Sequence, residues 1–200
     1  MTKAARESYT GIAMLLHWLI AAAVLGMFAT GLWMVDAIDV KQTRAAAFAV
    51  YQWHKSLGLT VLAAMALRIL WRLAHRPPPL PPSMSTAERM AAHAVHMGFY
   101  VLLLSVPLLG WAMVSASVFG LPTIWFGLVE WPHLPVLSEL ENKKSVEEAL
   151  KTAHGWAAYL LIGLVVLHVA AVLKHVFVNR DGTIQRMLPG GGRRKAERTT

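Results

Sequence analysis

The stretch Thr152–Lys174, TAHGWAAYLLIGLVVLHVAAVLK, carries no formal charge between Lys151 and Lys174, yet it holds two histidines. A helix of this length, rising 1.5 Å per residue, crosses a hydrocarbon layer of about 30 Å. His154 and His168 are fourteen residues apart, almost four turns. That spacing leaves them within about 40° of one helix face and ~21 Å apart along the axis. His175 follows seven residues later on the same face. A polar imidazole inside a bilayer is costly and turns toward a partner, a cofactor or a cavity. The stretch therefore reads as a membrane helix that presents two separate levels of histidine.

Three further apolar runs share this character, giving spans of about 12–35, 50–73, 91–117 and 153–178. The first is uncharged between Glu7 and Asp36, and its ~24 apolar residues exceed the 7–15 of a signal-peptide core, so it is read as retained. The second is bounded by Lys55 and Arg68, whose long stems can snorkel. The third contains Pro107, which is expected to kink it. Strand-like alternation is lacking, and the expected fold is all-α: a four-helix transmembrane bundle forming one domain over residues 1–190, followed by a basic tail at 191–200. The linkers are a short mixed segment after Asp36, the Pro-rich turn Arg76–Pro82 and a long third linker, Phe119–Thr152. One short amphipathic helix is expected in that linker, around Ser145–Lys151.

Composition agrees with a membrane protein. Of 200 residues, 56% are hydrophobic and 15% charged, with a mean hydropathy of +0.48; soluble domains carry about 25% charged residues. Zero cysteines exclude disulfides, thiolate zinc, iron–sulfur clusters and covalent c-type haem. The N-terminus, the second linker and the C-terminal tail, together with Arg68, Arg72 and Lys174, hold 13 of the 19 basic residues. By the positive-inside rule both termini are cytoplasmic. The net charge of +8 is thus an orientation signal and a contact for anionic lipid, and nucleic acid is not an expected partner.

Depth along each span sorts the histidines. If the fourth span is centred near Gly163, His154 lies ~13 Å toward the outside and His168 ~8 Å toward the inside. His17 in the first span lies ~9 Å inside centre and His54 in the second ~10 Å outside. His17 thus matches His168, and His54 matches His154. Any single histidine is as well explained by an interhelical hydrogen bond. Two pairs, one per leaflet, suit two stacked haems in a four-helix bundle. Structural zinc suits them less well, because it wants four close ligands.

Several motifs then join: His17-Trp18, His54 opening span two, Arg68-Ile-Leu-Trp-Arg72 before the proline turn, and Ala92-His93-Ala94-Val95-His96. The chain closes on His154, His168 and His175 followed by Asp181-Gly-Thr-Ile-Gln-Arg-Met-Leu-Pro189. With these the sequence resembles the bacterial cytochrome b561 family of di-haem inner-membrane proteins, related to the cytochrome b subunits of nickel hydrogenases. The resemblance covers nearly the whole chain and is weakest in the third linker and the tail. It implies two non-covalent b-type haems held by His17, His54, His154 and His168. It further implies ubiquinone reaction on the cytoplasmic side and, in some members, superoxide oxidation on the periplasmic side.

Two imidazoles per iron leave no open position for oxygen, so one-electron transfer is the expected chemistry. Arg68, Arg72 and His96 lie near the inner level as candidate propionate contacts, with snorkelling an equal account of both arginines. Lys55 is the cation nearest His54, placed to neutralise an outer propionate or attract an anion. His175 and His96 are candidate polar contacts for a quinone carbonyl. Three classes stay open: a transmembrane electron carrier between a periplasmic partner and the quinone pool, a haem-bearing anchor subunit of a larger redox complex, and a His-lined metal or proton transporter. The acids lie outside the spans, which disfavours the third.

Overall fold

The computed structural model describes residues 8–190; the basic tail, Lys3 and Arg6 lie outside the described residues. Four long helices dominate: α1 Gly11–Ala37, α2 Arg44–Ala74, α3 Thr86–Ser115 and, after the single turn α4 Pro135–Ser138, α5 Lys143–Lys174. All four are long and apolar enough to cross a membrane. Their starts are set by caps. Thr10 has extended backbone and its hydroxyl accepts from the Ala13 amide at 3.3 Å, while Ser85 and Glu88 form a reciprocal capping box at the start of α3. α3 continues through Pro107, which lacks only one intrahelical donor.

Two expectations for the third linker need correction. The residues around Ser145–Lys151 are not a separate helix but the opening turns of α5, because Lys, Glu, Ala and Leu favour helix and no Gly or Pro interrupts the way into the membrane. The linker also contains strands: β1 Thr123–Trp125 pairs antiparallel with β2 Val129–Trp131, in register Thr123 opposite Trp131. Strands of three residues are too short to show alternation in sequence. The turn between them has consecutive positive φ at Phe126 (49°) and Gly127 (74°).

α1 packs along α2 and α3 along α5, with α2 meeting α3. A buried apolar cluster fills the middle: Ile20 and Val24 of α1, Val61 and Met65 of α2, Leu102, Leu103 and Val106 of α3, and Leu161 of α5. Leu161 stands seven residues from both His154 and His168, so this cluster separates the two histidine levels. At one end the chain termini are stitched together. Past α5 a π-helical turn, His175–Asn179, leads into a 3-10 turn, Ile184–Met187, whose carbonyls accept from the Tyr9 amide at 3.1 Å and the Trp18 indole at 2.9 Å.

Candidate functional site

α1 and α5 carry the first histidine pair, α2 and α5 the second. The His17 and His168 rings lie 6.4 Å apart, centre to centre, at 77°, and the His54 and His154 rings also lie 6.4 Å apart, at 74°. Two metal–nitrogen bonds of about 2 Å, with about 1.1 Å from each ring nitrogen to its ring centre, need about 6.2 Å. Each gap therefore has the width of one metal ion held between two imidazoles. Among the described residues no group of three or more His, Cys, Asp or Glu is arranged to hold a metal ion. Two ligands per level fit a metal that brings its own equatorial ligands, as haem iron does, and do not fit a bare zinc site.

The surroundings of the outer pair leave one ring nitrogen free on His54 and fix the other ring's tautomer. His54 Nδ1 is buried without a hydrogen-bond partner, whereas His154 Nδ1 lies 3.0 Å from the Val106 carbonyl. Donation to that carbonyl fixes the tautomer and leaves Nε2 as the ligating atom. Each outer ring also faces a glycine. A Cβ on Gly31 would come within 3.2 Å of His54 Cε1, and one on Gly110 within 3.2 Å of His154 Cε1. These glycines make room for the imidazoles themselves, which the sequence shows only as two among many small residues.

The inner level holds a third ring. His96 lies 5.8 Å from His168, and its Nδ1 is 2.6 Å from the Ala92 carbonyl one turn back in α3, so that nitrogen is occupied. Phe99 meets His168 edge to face at 5.3 Å. Arg68 donates to the Ala13 carbonyl at 3.2 Å, and the Arg72 guanidinium sits 5.6 Å over the Tyr100 ring. Both arginines line a shallow open cleft with Tyr9, Trp71, His75 and Arg76. Its walls are cationic, and neither His17 nor His168 lines it.

Lys55 does not stand free beside His54. Its amine donates to the Pro122 carbonyl at 2.9 Å, and Gln52 Nε2 donates to the same oxygen at 3.2 Å. Buried Ser56 accepts from the Phe126 amide at 3.0 Å, and Thr60 accepts from the Trp125 indole at 3.2 Å. The β-hairpin is therefore clamped along the Gln52–Ser56–Thr60 face of α2. Sequence reading missed this clamp because its hydrogen bonds join residues some 65–72 positions apart. Also missed was Asp181, whose carboxylate lies 2.6 Å from His175 Nδ1. In sequence Asp181 stands only as the first residue of the closing motif, with no sign of its contact with His175.

Comparison with known proteins agrees with this arrangement. The family model described as prokaryotic cytochrome b561 matches residues 8–190. "Cytochrome b561 homolog 2" of Escherichia coli (strain K12) is 35% identical over 184 residues, covering 91% of this chain and 92% of its own. "Probable superoxide oxidase CybB" of Yersinia pestis is 33% identical over 136 residues, 68% of this chain and 73% of its own. Four membrane-spanning helices and a match that takes in all the described residues lead to one conclusion: the chain belongs to the prokaryotic cytochrome b561 family, multi-pass proteins of the bacterial inner membrane that use b-type haem in electron transfer.

Proposed function

We propose that the protein binds two b-type haems, an inner one through His17 and His168 and an outer one through His54 and His154. In this reading it passes single electrons across the membrane between a periplasmic partner and the quinone pool. The observation that carries it is the equal 6.4 Å separation of two histidine pairs on either side of one apolar cluster. When bound, the haems supply one-electron redox chemistry at the two levels. The protein's own part is to fix the rings, to exclude water between levels with Val61, Met65 and Leu161, and to place cations at the two ends. Arg68 and Arg72 are the cations that would pair with the propionates of an inner haem, and the distribution of Lys and Arg supports cytoplasmic termini. Replacing His17 or His168 by Ala is expected to remove about one of two haems, and replacing His54 or His154 the other, as measured by pyridine haemochrome against protein mass. Full haem content after either inner replacement would overturn the inner assignment.

Superoxide is the proposed outer substrate, since the name of one relative includes that activity and Lys55 keeps a cation at the base of the hairpin. Ubiquinone is the proposed inner one, with His175 and His96 as polar contacts. The anchor-subunit reading draws on a different observation: Phe119, Leu128 and Val136 of the outer linker are each more than three-quarters exposed, as a protein partner would require. Stopped-flow mixing of superoxide with oxidised protein separates the two, because an anchor subunit would show no haem reduction.

A further inference from the structure

At the end of α5 the backbone leaves the α-helical ladder in order to bring one carboxylate back onto one imidazole. The π-helical turn His175–Asn179 widens the helix, Arg180 adopts a left-handed conformation (φ 50°, ψ 36°), and Gly182 follows at φ 75°. Single π turns inside α-helices recur at functional sites, and non-glycine residues in the left-handed region carry strain that the surroundings must offset. The outcome is an ordered dyad. Asp181 Oδ2 lies 2.6 Å from His175 Nδ1, with the two side chains only 9% and 11% exposed. Asp181 Oδ1 accepts from both the Thr183 amide, at 3.0 Å, and the Thr183 hydroxyl, at 2.6 Å.

These bonds define where the protons are. Burial pushes the Asp181 carboxyl upward, but hydrogen bonds from Thr183 and His175 outweigh it and hold the group below the usual 3.8, so it is a carboxylate at neutral pH. A carboxylate oxygen at 2.6 Å from Nδ1 must receive a hydrogen, so Nδ1 is the protonated nitrogen. Asn179 Nδ2 lies 3.2 Å from the same nitrogen, a contact that makes no hydrogen bond while Nδ1 carries its proton toward Asp181. Nε2 has no hydrogen-bond partner among the described residues and is not sealed from its surroundings. It is the one ring atom left for chemistry.

We propose that Asp181 is a positioning residue for proton delivery: it holds His175 with Nε2 outward and stabilises the imidazolium that gives its Nε2 proton to a quinone-class acceptor at the cytoplasmic end. This rests on the quinone reading above and deepens it. The quinone takes up two electrons, arriving singly from the outer one-electron donor, and two protons. In each half, the Nε2–H bond breaks and an O–H bond forms on a carbonyl oxygen, leaving neutral His175 still bonded through Nδ1–H to Asp181. Nε2 is then reloaded from cytoplasmic water. With superoxide as donor, two superoxide ions become two molecules of oxygen while one quinone and two protons become one quinol. Without Asp181 the ring has no fixed tautomer and no nearby anion to support its charged form.

The test uses the full haem-loaded chain, pre-reduced and mixed with a soluble ubiquinone analogue, with haem oxidation followed by stopped flow in water and in deuterium oxide. For Asp181→Asn the expected result is unchanged haem content, a rate at saturating quinone lowered on the order of 10- to 100-fold, and half-saturation within about threefold of wild type. The solvent isotope effect should increase. Asp181→Glu should restore the rate to within about threefold, which a simple packing role would not predict. Independently of turnover, ¹⁵N spectra of the histidine rings should show Nδ1–H at His175 in the wild type and a tautomer mixture in Asp181→Asn. If Asp181→Asn fails to fold, Thr183→Ala replaces it: it removes one donor to Oδ1 and should slow the reaction about three- to tenfold with the same isotope signature. A slow His175→Ala beside an Asp181→Asn of wild-type rate and isotope effect overturns the role of Asp181 and leaves the quinone site standing. His175→Ala with unchanged kinetics overturns both.

Discussion

At position 54 the imidazole is enclosed by its neighbours more tightly than its residue type requires, with Gly31 opposite and Nδ1 unpaired. His154 is held in the same way by Gly110. Adding a methyl group at either glycine would force its facing ring to give by a few tenths of an ångström. We therefore expect Gly31→Ala and Gly110→Ala to weaken the proposed outer haem while sparing the proposed inner one, at a cost of about 1–3 kcal/mol from overpacking. Haem content and low-temperature absorption of the two centres provide the check. Equal loss at both levels would show that these glycines serve general helix packing. Asp181 gives a second expectation at this scale. Its pKa is lower in the folded chain than when unfolded, so its contribution to stability is complete above about pH 4 and is lost as the pH falls through the depressed folded value. Hydrogen exchange in residues 181–188, corrected for the intrinsic pH dependence, should stay flat from pH 7 to 5 and rise only below 4.

Among the elements, the β-hairpin is held less by its own ladder than by α2. Three-residue strands are not stable alone, and the hydroxyl of Ser56 takes the Phe126 amide while the Trp125 indole reaches Thr60. The other margin of the linker is tied to α3, where the Trp111 indole donates to the Pro132 carbonyl at 2.9 Å and Ser115 accepts from the Leu134 amide at 3.0 Å. Ser56→Ala leaves the Phe126 amide without its acceptor, at a cost of about 1–3 kcal/mol if the amide stays buried. Chymotryptic cleavage at Trp125–Leu128 should then be faster than in wild type, with haem content unchanged. Unchanged cleavage would mean that the hairpin is fastened elsewhere. At the opposite end Trp18 and the Tyr9 amide hold the 3-10 turn at Ile184–Met187, so the closing segment is a clasp on α1 and not a loose extension.

Over the whole molecule, charge is divided between the ends. In sequence, thirteen basic residues fall in the N-terminus, the second linker, the tail and the span ends Arg68, Arg72 and Lys174, and six in the first and third linkers with Lys55, whose seven acids bring that group to about −1. An anionic substrate approaching the outer end therefore depends on local cations, with Lys55 at the centre. Reduction of the haem by superoxide is expected to slow as ionic strength rises, and to slow further in Lys55→Gln, in stopped-flow measurements. Rates independent of salt would remove electrostatic guidance from the model. The same division predicts that a fluorescent protein fused after Thr200 fluoresces in cells, whereas alkaline phosphatase fused there stays inactive.

The sequence by itself determined the four spans, because a bilayer demands segments that satisfy their own backbone, and long uncharged runs without strand-like alternation do so only as helices. It also placed the histidines at two depths, since rise per residue is fixed once a helix is assigned. Other features depend on contacts between distant segments, which no local pattern encodes. α5 absorbed the expected short helix because nothing in Lys143–Thr152 stops a helix once membrane burial of the following residues anchors it. The hairpin formed because α2 offers it partners some 70 residues away. The glycines facing His54 and His154 lie on α1 and α3, so their role appears only when those helices are packed. Asp181 reaches His175 only through a π turn and a left-handed residue, geometry that local propensity disfavours and tertiary packing holds.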